Sequence, residues 1–489
     1  MGGVPLNPID FFRGNALARL PLDSAEKWVL GLLAAHLVFL PWAVGDAPTW
    51  ARVTSLLLAL AGLGAALRAR PVAAEGGGGG EPAGWGRLWR FPGFWWGLAL
   101  VVYVAIQVLN PNHVCVRDGD GWIVTPRANI GWLPTSVAGL PETGNTAWRA
   151  LLVYASAWLT VCGIWVGLTR RSAVERLFVV VAINGAVLAL AAAAARLAGN
   201  GKLLWVITPD RFSSGFASFN YKNSAGAYLA LTAAVCLALA VRYRDRAIRR
   251  FDKSSPAPVF VILGLFTAIV VVVSRCRAAT VLVGCLLPLA GAVALFLRPR
   301  DDGGGRPIIG AILGVLFAGF AVFALQAFGP EKILRGFGEF VESGVEAGSV
   351  SFRAAIRSAT LEMIRDHGLR GIGPDSFGYL MPGYAAEQPA LGDTQVWFAH
   401  CDWLNIPLEL GLGGVLILLG GAGSVGAVLV RTAVWRNPWG VLVLLGCGMT
   451  LAHAWVDGVL RNAAVMITWT ALVVALARWQ MFEQPPGRR

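Results

Sequence analysis

The sequence predicts an all-α, polytopic membrane protein of about twelve transmembrane helices, and three observations carry that prediction. Of its 489 residues 56% are hydrophobic and only 14% charged, whereas soluble domains carry roughly 25% charged residues. Apolar runs of about twenty residues, the length that crosses a hydrocarbon core, recur along the chain. Twenty tryptophans stand against seven tyrosines and six methionines, many near the ends of those runs, as suits an indole ring at the headgroup interface.

In chain order the expected spans are 27–46, 50–68, 91–109, 148–168, 175–197, 222–241, 258–274, 278–297, 307–328, 403–430, 438–455 and 461–479. Small residues interrupt several of them and permit close helix packing. No internal repeat is visible. With a cytoplasmic N-terminus and alternating sides, the connections placed inside hold most of the 41 Lys and Arg residues, including Arg242, Arg244, Arg246, Arg249, Arg250 and Lys253 in one short loop. The positive-inside rule then puts both termini in the cytoplasm. It also accounts for most of the +13 net charge, so no nucleic-acid partner is expected: phosphate binding of that kind needs a soluble basic face. Asp10, Asp23 and Glu26 precede the first apolar run, unlike a cleaved signal peptide.

The seven cysteines show neither a CxxC pair nor metal-ligand spacing, and no metal or other cofactor is expected. Cys115, Cys276 and Cys401 fall on the outer side, where a disulfide is chemically allowed. Residues 70–90, with five consecutive glycines, read as a flexible cytoplasmic linker. Two outer connections are long: 110–147, rich in Pro, Gly and Asn, and 329–402, which reads as a folded, partly helical loop between the ninth and tenth spans. Within it Phe352, Ile356, Ala359 and Met363 recur at helical spacing, predicting an amphipathic helix over 351–367 ended by Gly368. Arg353 and Arg357 share a face of that helix and repel one another unless an anion lies near; a solvated basic face is the other reading.

Ionisable residues gather at the outer ends of the spans. Ser274-Arg275-Cys276-Arg277 is too short to reach far into water, so its two guanidinium groups lie near the membrane boundary, either snorkelling to lipid phosphate or clamping a substrate phosphate in a bidentate fork. His400 precedes the tenth span, and an imidazole there is either a hydrogen-bonded structural group or a general base for neutral pH. Glu409, two helical turns deeper than Asp402, reads as a brace for helix packing. The Phe219–Asn223 stretch, and His453, Asp457 and Arg461 at four-residue spacing, read as polar glue between helices, with an Asp457–Arg461 ion pair as the simplest arrangement.

The order F-N-Y-K-N at a span start, S-R-C-R-A at a corner, R-x-x-x-R, then M-I-R-D-H-G-L-R-G-I-G-P-D-S-F and A-H-C-D-W-L-N-I-P-L-E-L-G-L-G-G, over residues 205–430, resembles the O-antigen ligase and polymerase superfamily. The resemblance implies a GT-C-like glycosyltransferase in the bacterial inner membrane. Such an enzyme moves a glycan from an undecaprenyl-pyrophosphate donor to an acceptor hydroxyl, on a glycolipid or a growing glycan, at the periplasmic face, with inversion and without a metal. On that reading His400 and Arg353 are catalytic, Arg275, Arg277, Arg357 and Lys222 bind pyrophosphate, and Asn223, Asp402 and Glu409 support them. Two positions depart from the family pattern: Cys401 stands where an Asn usually follows the His, and Arg357 where an aromatic residue usually follows the loop Arg. The chain then divides into N-terminal helices (1–204), the ligase-like core (205–430) and C-terminal helices (431–489). A ligase is the first reading and a polymerase the second. A transporter is the reading from another class, but it would favour internal repeats and mid-span charges.

Overall fold

In lipid every backbone polar group must be satisfied within the chain, so apolar runs of this length become helices. A computed structural model describes residues 22–68, 84–119, 121–143, 146–199, 201–208, 214–296, 347–385, 388–391 and 394–482. The helices are α1 (Ser24–Trp42), α2 (Thr49–Arg68), α3 (Gly84–Trp89), α4 (Pro92–Leu109), α5 (Ala147–Gly167), α6 (Arg171–Ala198), α7 (Lys222–Arg250), α8 (Ala257–Val273) and α9 (Arg277–Phe296). They continue as α10 (Ala347–His367), α11 (Phe377–Ala385), α12 (Asp402–Arg431), α13 (Pro438–Val456) and α14 (Ala463–Met481).

Among the described residues eight helices are long and apolar enough to cross a membrane, and α8 and α9 are apolar as well. The chain is a multi-pass membrane protein. The expected ninth span, 307–328, lies outside the described residues; every other expected span falls on a helix, with ends that agree to within about four residues except at 222–241, where the helix runs on to Arg250 through the basic stretch expected as a loop. Of the expected linker, residues 84–89 are helical instead: α3 buries Arg87 and Leu88 beside α5.

The bundle is organised around α7, whose residues Ser224 to Ala240 are all buried. Its alanines let α6, α8 and α13 approach closely, and one continuous apolar core joins α1 through α9 to α13 and α14. The loop helix α10 begins four residues earlier than expected, and its Ile356, Ala359 and Met363 are buried against Phe377, Met381, Val396, Ala399 and Leu408, as their spacing requires.

The 110–147 connection adds a small sheet, not foreseen in the sequence, to a fold that is otherwise helical. It folds into a three-stranded sheet of order β2-β1-β3, with β1 (Pro111–Asp118) antiparallel to β2 (Gly121–Pro126) and parallel to β3 (Ser136–Ala138). Asn110, at the end of α4, fixes the return of the chain: its amide accepts from the Ile130 N–H at 2.8 Å and donates to the carbonyls of Ile130 and Pro134. The sheet is tied to the 371–376 segment by Thr135 Oγ1 donating to the Gly371 carbonyl (3.0 Å) and by the Val137 N–H donating to Ser376 Oγ (3.2 Å).

Helix α12 is broken at Gly411, which sits at φ 65, ψ −177. A broken turn at membrane depth exposes carbonyls that must find other donors. Here the N–H groups of Ile372 and Gly373 donate to the carbonyls of Leu408 and Glu409, Gln107 Nε2 also donates to the Glu409 carbonyl (2.9 Å), and Tyr103 OH donates to Leu410 (2.7 Å). The Leu412 N–H returns a bond to Gly368. The close approach demands glycine at 371: its φ is +74, and a Cβ there would stand 2.4 Å from the Glu409 carbonyl oxygen. Gly371→Ala is therefore expected to destabilise the protein by about 1–3 kcal/mol, measured as a lowered unfolding midpoint in detergent, whereas the same change at Gly383, where a Cβ would meet nothing within 4 Å, leaves the midpoint in place.

Candidate functional site

A carboxylate removed from water needs charge or hydrogen bonds to remain ionised. Asp457 is buried in the turn between α13 and α14. It accepts from Tyr221 OH at 2.6 Å, from Asn223 Nδ2, from the Gly458 N–H at 2.8 Å and from His400 Nδ1 at 3.3 Å. Burial alone would raise its pKa, but the bonds from His400 and Tyr221, the imidazole charge and the Gly458 N–H together hold it well below the usual carboxylate range. The same carboxylate pushes the Tyr221 phenol, already raised by burial, higher still.

His400 sits in the left-handed region at φ 48, two residues before α12; its side chain is 21% exposed and its ring lies 4.2 Å from the Phe398 ring, tilted by 43°. An ionised Asp457 only accepts, so the proton between them belongs to His400 Nδ1; in the neutral ring Nε2 is then the nitrogen with the free lone pair. Asp402, on the first turn of α12, does not face that imidazole: its Oδ2 accepts the Leu460 N–H at 2.7 Å and so fixes the turn that carries Asp457. Glu409 is buried two helical turns further along α12, just before the break at Gly411, near Asn405, Arg461 and Asp375.

The expected Asp457–Arg461 pair does not form. Helix α13 ends at Val456 and Asp457 is extended (φ −157, ψ 172), so the four-residue spacing no longer means a shared helix face. Arg461 instead donates to Asp375 Oδ1 at 2.6 Å and to the Trp397 carbonyl at 3.3 Å, with its guanidinium 5.1 Å from the Phe398 ring. Arg52 stands 3.6 Å from the second oxygen of Asp375. Burial would raise the Asp375 carboxyl, but Arg461 and Arg52 keep it below its ordinary value. Asp375 thereby joins the start of α2, the 371–376 segment and the 457–462 turn. His453 lies within the bundle, its Nε2 3.7 Å from the sulfur of Cys276. All seven cysteines are free, with Cys115, Cys276 and Cys401 buried.

Next to this group lies a cavity of about 470 Å³ whose lining includes Arg196, Lys202, Lys222 and Arg275 and no acidic residue. Lys222 adjoins Tyr221 in sequence, so the cation-lined space abuts the residues that hold Asp457. The corner between α8 and α9 turns at Arg275, which adopts φ 57, while Ser274 Oγ accepts the Cys276 N–H. Arg275 lines the cavity; Arg277 begins α9 and is not part of the lining. Arg353 on α10 is close enough to act electrostatically on Tyr221 and His453. Arg357, one turn on, donates to the Trp455 carbonyl at 3.3 Å and lies near Cys401.

The structure thus brings His400, Asn223, Lys222, Arg275 and Arg353 to one end of the bundle, sets Arg277 apart from the cavity, and gives Arg357, Asp402 and Glu409 bonds or surroundings of a structural kind. Sequence reasoning placed Asp457, and Tyr221 within the Phe219–Asn223 stretch, among polar glue, and gave Asp375 and Arg52 no role. Asp375 lies within the G-I-G-P-D-S-F motif; no local pattern pointed to Arg52.

Among known families, the model described as O-antigen ligase matches residues 260–419, about a third of the chain, which includes the α8–α9 corner, α10 and the His400 segment. No curated protein matches the chain. The match supports the ligase and polymerase superfamily, whose members are enzymes acting on lipid-linked glycans. If Asp457 orients the imidazole, Asp457→Asn, which preserves shape but exchanges acceptor for donor, lowers turnover about a hundredfold or more while donor KM changes little, as read by steady-state kinetics on reconstituted protein.

Proposed function

We propose that this membrane protein, with its O-antigen-ligase-type region, transfers a glycan from an undecaprenyl-pyrophosphate carrier to an acceptor hydroxyl at the periplasmic face of the bacterial inner membrane, acting as a ligase. The observation that carries the reading is the His400 imidazole, held on a buried Asp457 whose other donors, Tyr221 and Asn223, flank Lys222 of the cavity that Arg275 also lines. The reading takes that imidazole as the base and these cations as phosphate ligands.

In the proposed reaction the acceptor oxygen attacks the anomeric carbon while His400 Nε2 takes its proton. The bond from that carbon to the carrier diphosphate breaks, and the departing diphosphate carries the bonding electrons. A single displacement inverts the anomeric configuration. Negative charge grows on the leaving oxygen, and Arg275, Lys222 and Arg353 are the cations placed to stabilise it, the part a divalent ion plays in other glycosyltransferases. Arg353 contributes a planar, bidentate donor pair that lysine lacks. Asn223 and Tyr221 hold Asp457, and Asp402 and Glu409 hold the turns around it. Both termini then face the cytoplasm, where Arg242 and Arg246 pair with Glu175 at the other end of the bundle.

Protein reconstituted with purified donor and acceptor tests this reading. His400→Ala is expected to lower the transfer rate by about a hundredfold to ten-thousandfold with donor binding retained, and Arg353→Ala to abolish transfer with only partial recovery in Arg353→Lys. Chelators are expected to leave the rate unchanged. Near-normal turnover in His400→Ala, or loss of activity with EDTA, would sink the mechanism.

A further inference from the structure

The cation-lined cavity has an apolar lip that the transfer chemistry does not use. Between α6 and α7 the chain forms a small hairpin in which Leu203 and Ile207 exchange backbone hydrogen bonds, with the Leu203 N–H donating to Ile207 O at 2.8 Å and the Ile207 N–H to Leu203 O at 3.0 Å. The tip is unusual. Leu204 and Trp205 are consecutive left-handed residues, at φ 45 and φ 65, in a turn that ordinarily takes Asn and Gly. Bulky side chains in that region are strained, and such strain gathers where a segment meets a ligand.

The strain is spent on displaying apolar groups rather than burying them. Val206 is 78% exposed and Trp205 43% exposed, and at the nearby end of α6 Leu197 is 89% exposed. Each directly follows a residue of the same cavity or of its hairpin: Leu197 follows Arg196, and Trp205 follows Leu204, both of which line the cavity. Cations within and apolar side chains at the rim match an amphiphile whose head is phosphate and whose tail is hydrocarbon. A soluble nucleotide sugar would leave the rim exposed to water. An ordinary phospholipid would satisfy the rim but has no need of a cavity carrying four cations.

We propose that Leu197, Trp205 and Val206 form the exit along which the polyisoprenoid tail of a diphosphate carrier lipid leaves the cavity, an assignment that rests on the reading of Lys222 and Arg275 as diphosphate ligands but not on the transfer step. The hairpin then selects the carrier by its tail, and the cavity cations hold its head. These residues precede the 260–419 family match, so the tail contact is supplied by this chain's own N-terminal half.

Binding, rather than turnover, tests the proposal, using the full chain in phosphatidylcholine nanodiscs with farnesyl diphosphate, inorganic pyrophosphate and phosphatidylglycerol as probes. The triple variant Leu197→Ser, Trp205→Ser, Val206→Ser is expected to weaken farnesyl diphosphate binding about tenfold, the loss that follows removal of one or two apolar contacts, with pyrophosphate affinity preserved; that preserved affinity also shows the cavity intact. Lys222→Ala is expected to weaken both diphosphates. Equal weakening of both probes by the triple variant, no weakening of either, or displacement of farnesyl diphosphate by phosphatidylglycerol at equal concentration overturns the assignment. Failure of the His400 mechanism would appear instead as near-normal transfer by His400→Ala, a result that leaves these binding outcomes untouched.

Discussion

A carboxylate with 2% of its side chain exposed cannot stay charged without partners, and the need to satisfy Asp457 organises this end of the bundle. Its donors come from the entry to α7, from its own turn and from the segment before α12. Satisfying one charge therefore fixes three distant pieces of chain, and His400 is one of them. Removing any donor would leave a buried charge short of a bond, a loss larger than the bond's net contribution to stability. That asymmetry explains why a polar network persists among apolar helices, and why the imidazole has one orientation rather than several.

The second constraint is the break in α12. Gly411 interrupts the helix, and the freed carbonyls are taken up by the Gly371–Gly373 segment, Gln107 and Tyr103. This stitches the 371–376 segment to the bundle, largely by backbone bonds, which tolerate little drift. Asp375 follows directly in that loop, and its two arginine partners carry the same rigidity to the start of α2 and to the turn bearing Asp457. The proposed base and the cations of α10 thus rest on elements held from two sides.

Hydropathy made the spans legible because a bilayer leaves a chain few alternatives, and the 3.6-residue spacing of Ile356, Ala359 and Met363 identified the buried face of α10 for the same kind of reason. The sheet at 111–138 was not legible: its strands are short, half-exposed and rich in turn-forming residues, so no alternation stands out. The candidate site was legible in its arginines and its histidine, which are chemically conspicuous at span ends. Their arrangement was not. Asn223 and Asp457 are 234 residues apart in sequence, and His400 and Asp457 are 57 apart. The nearer Asp457 and Arg461 suggested a pair only on the assumption of continuing helix, and the extended backbone at 457 removed that assumption. Geometry likewise separated Arg275 from Arg277, which local pattern could not, because a left-handed residue at the corner sends adjacent side chains to different surroundings.

Proton transfer to His400 Nε2 in the proposed reaction is tested by chemical rescue of His400→Ala with added imidazoles. Imidazole is expected to restore transfer in this variant alone, at a rate that rises with basicity across substituted imidazoles of similar size, and Arg353→Ala is expected to gain nothing from the same additions. A rescued rate independent of basicity, or equal recovery in Arg353→Ala, would contradict it and leave His400 as a structural partner of Asp457.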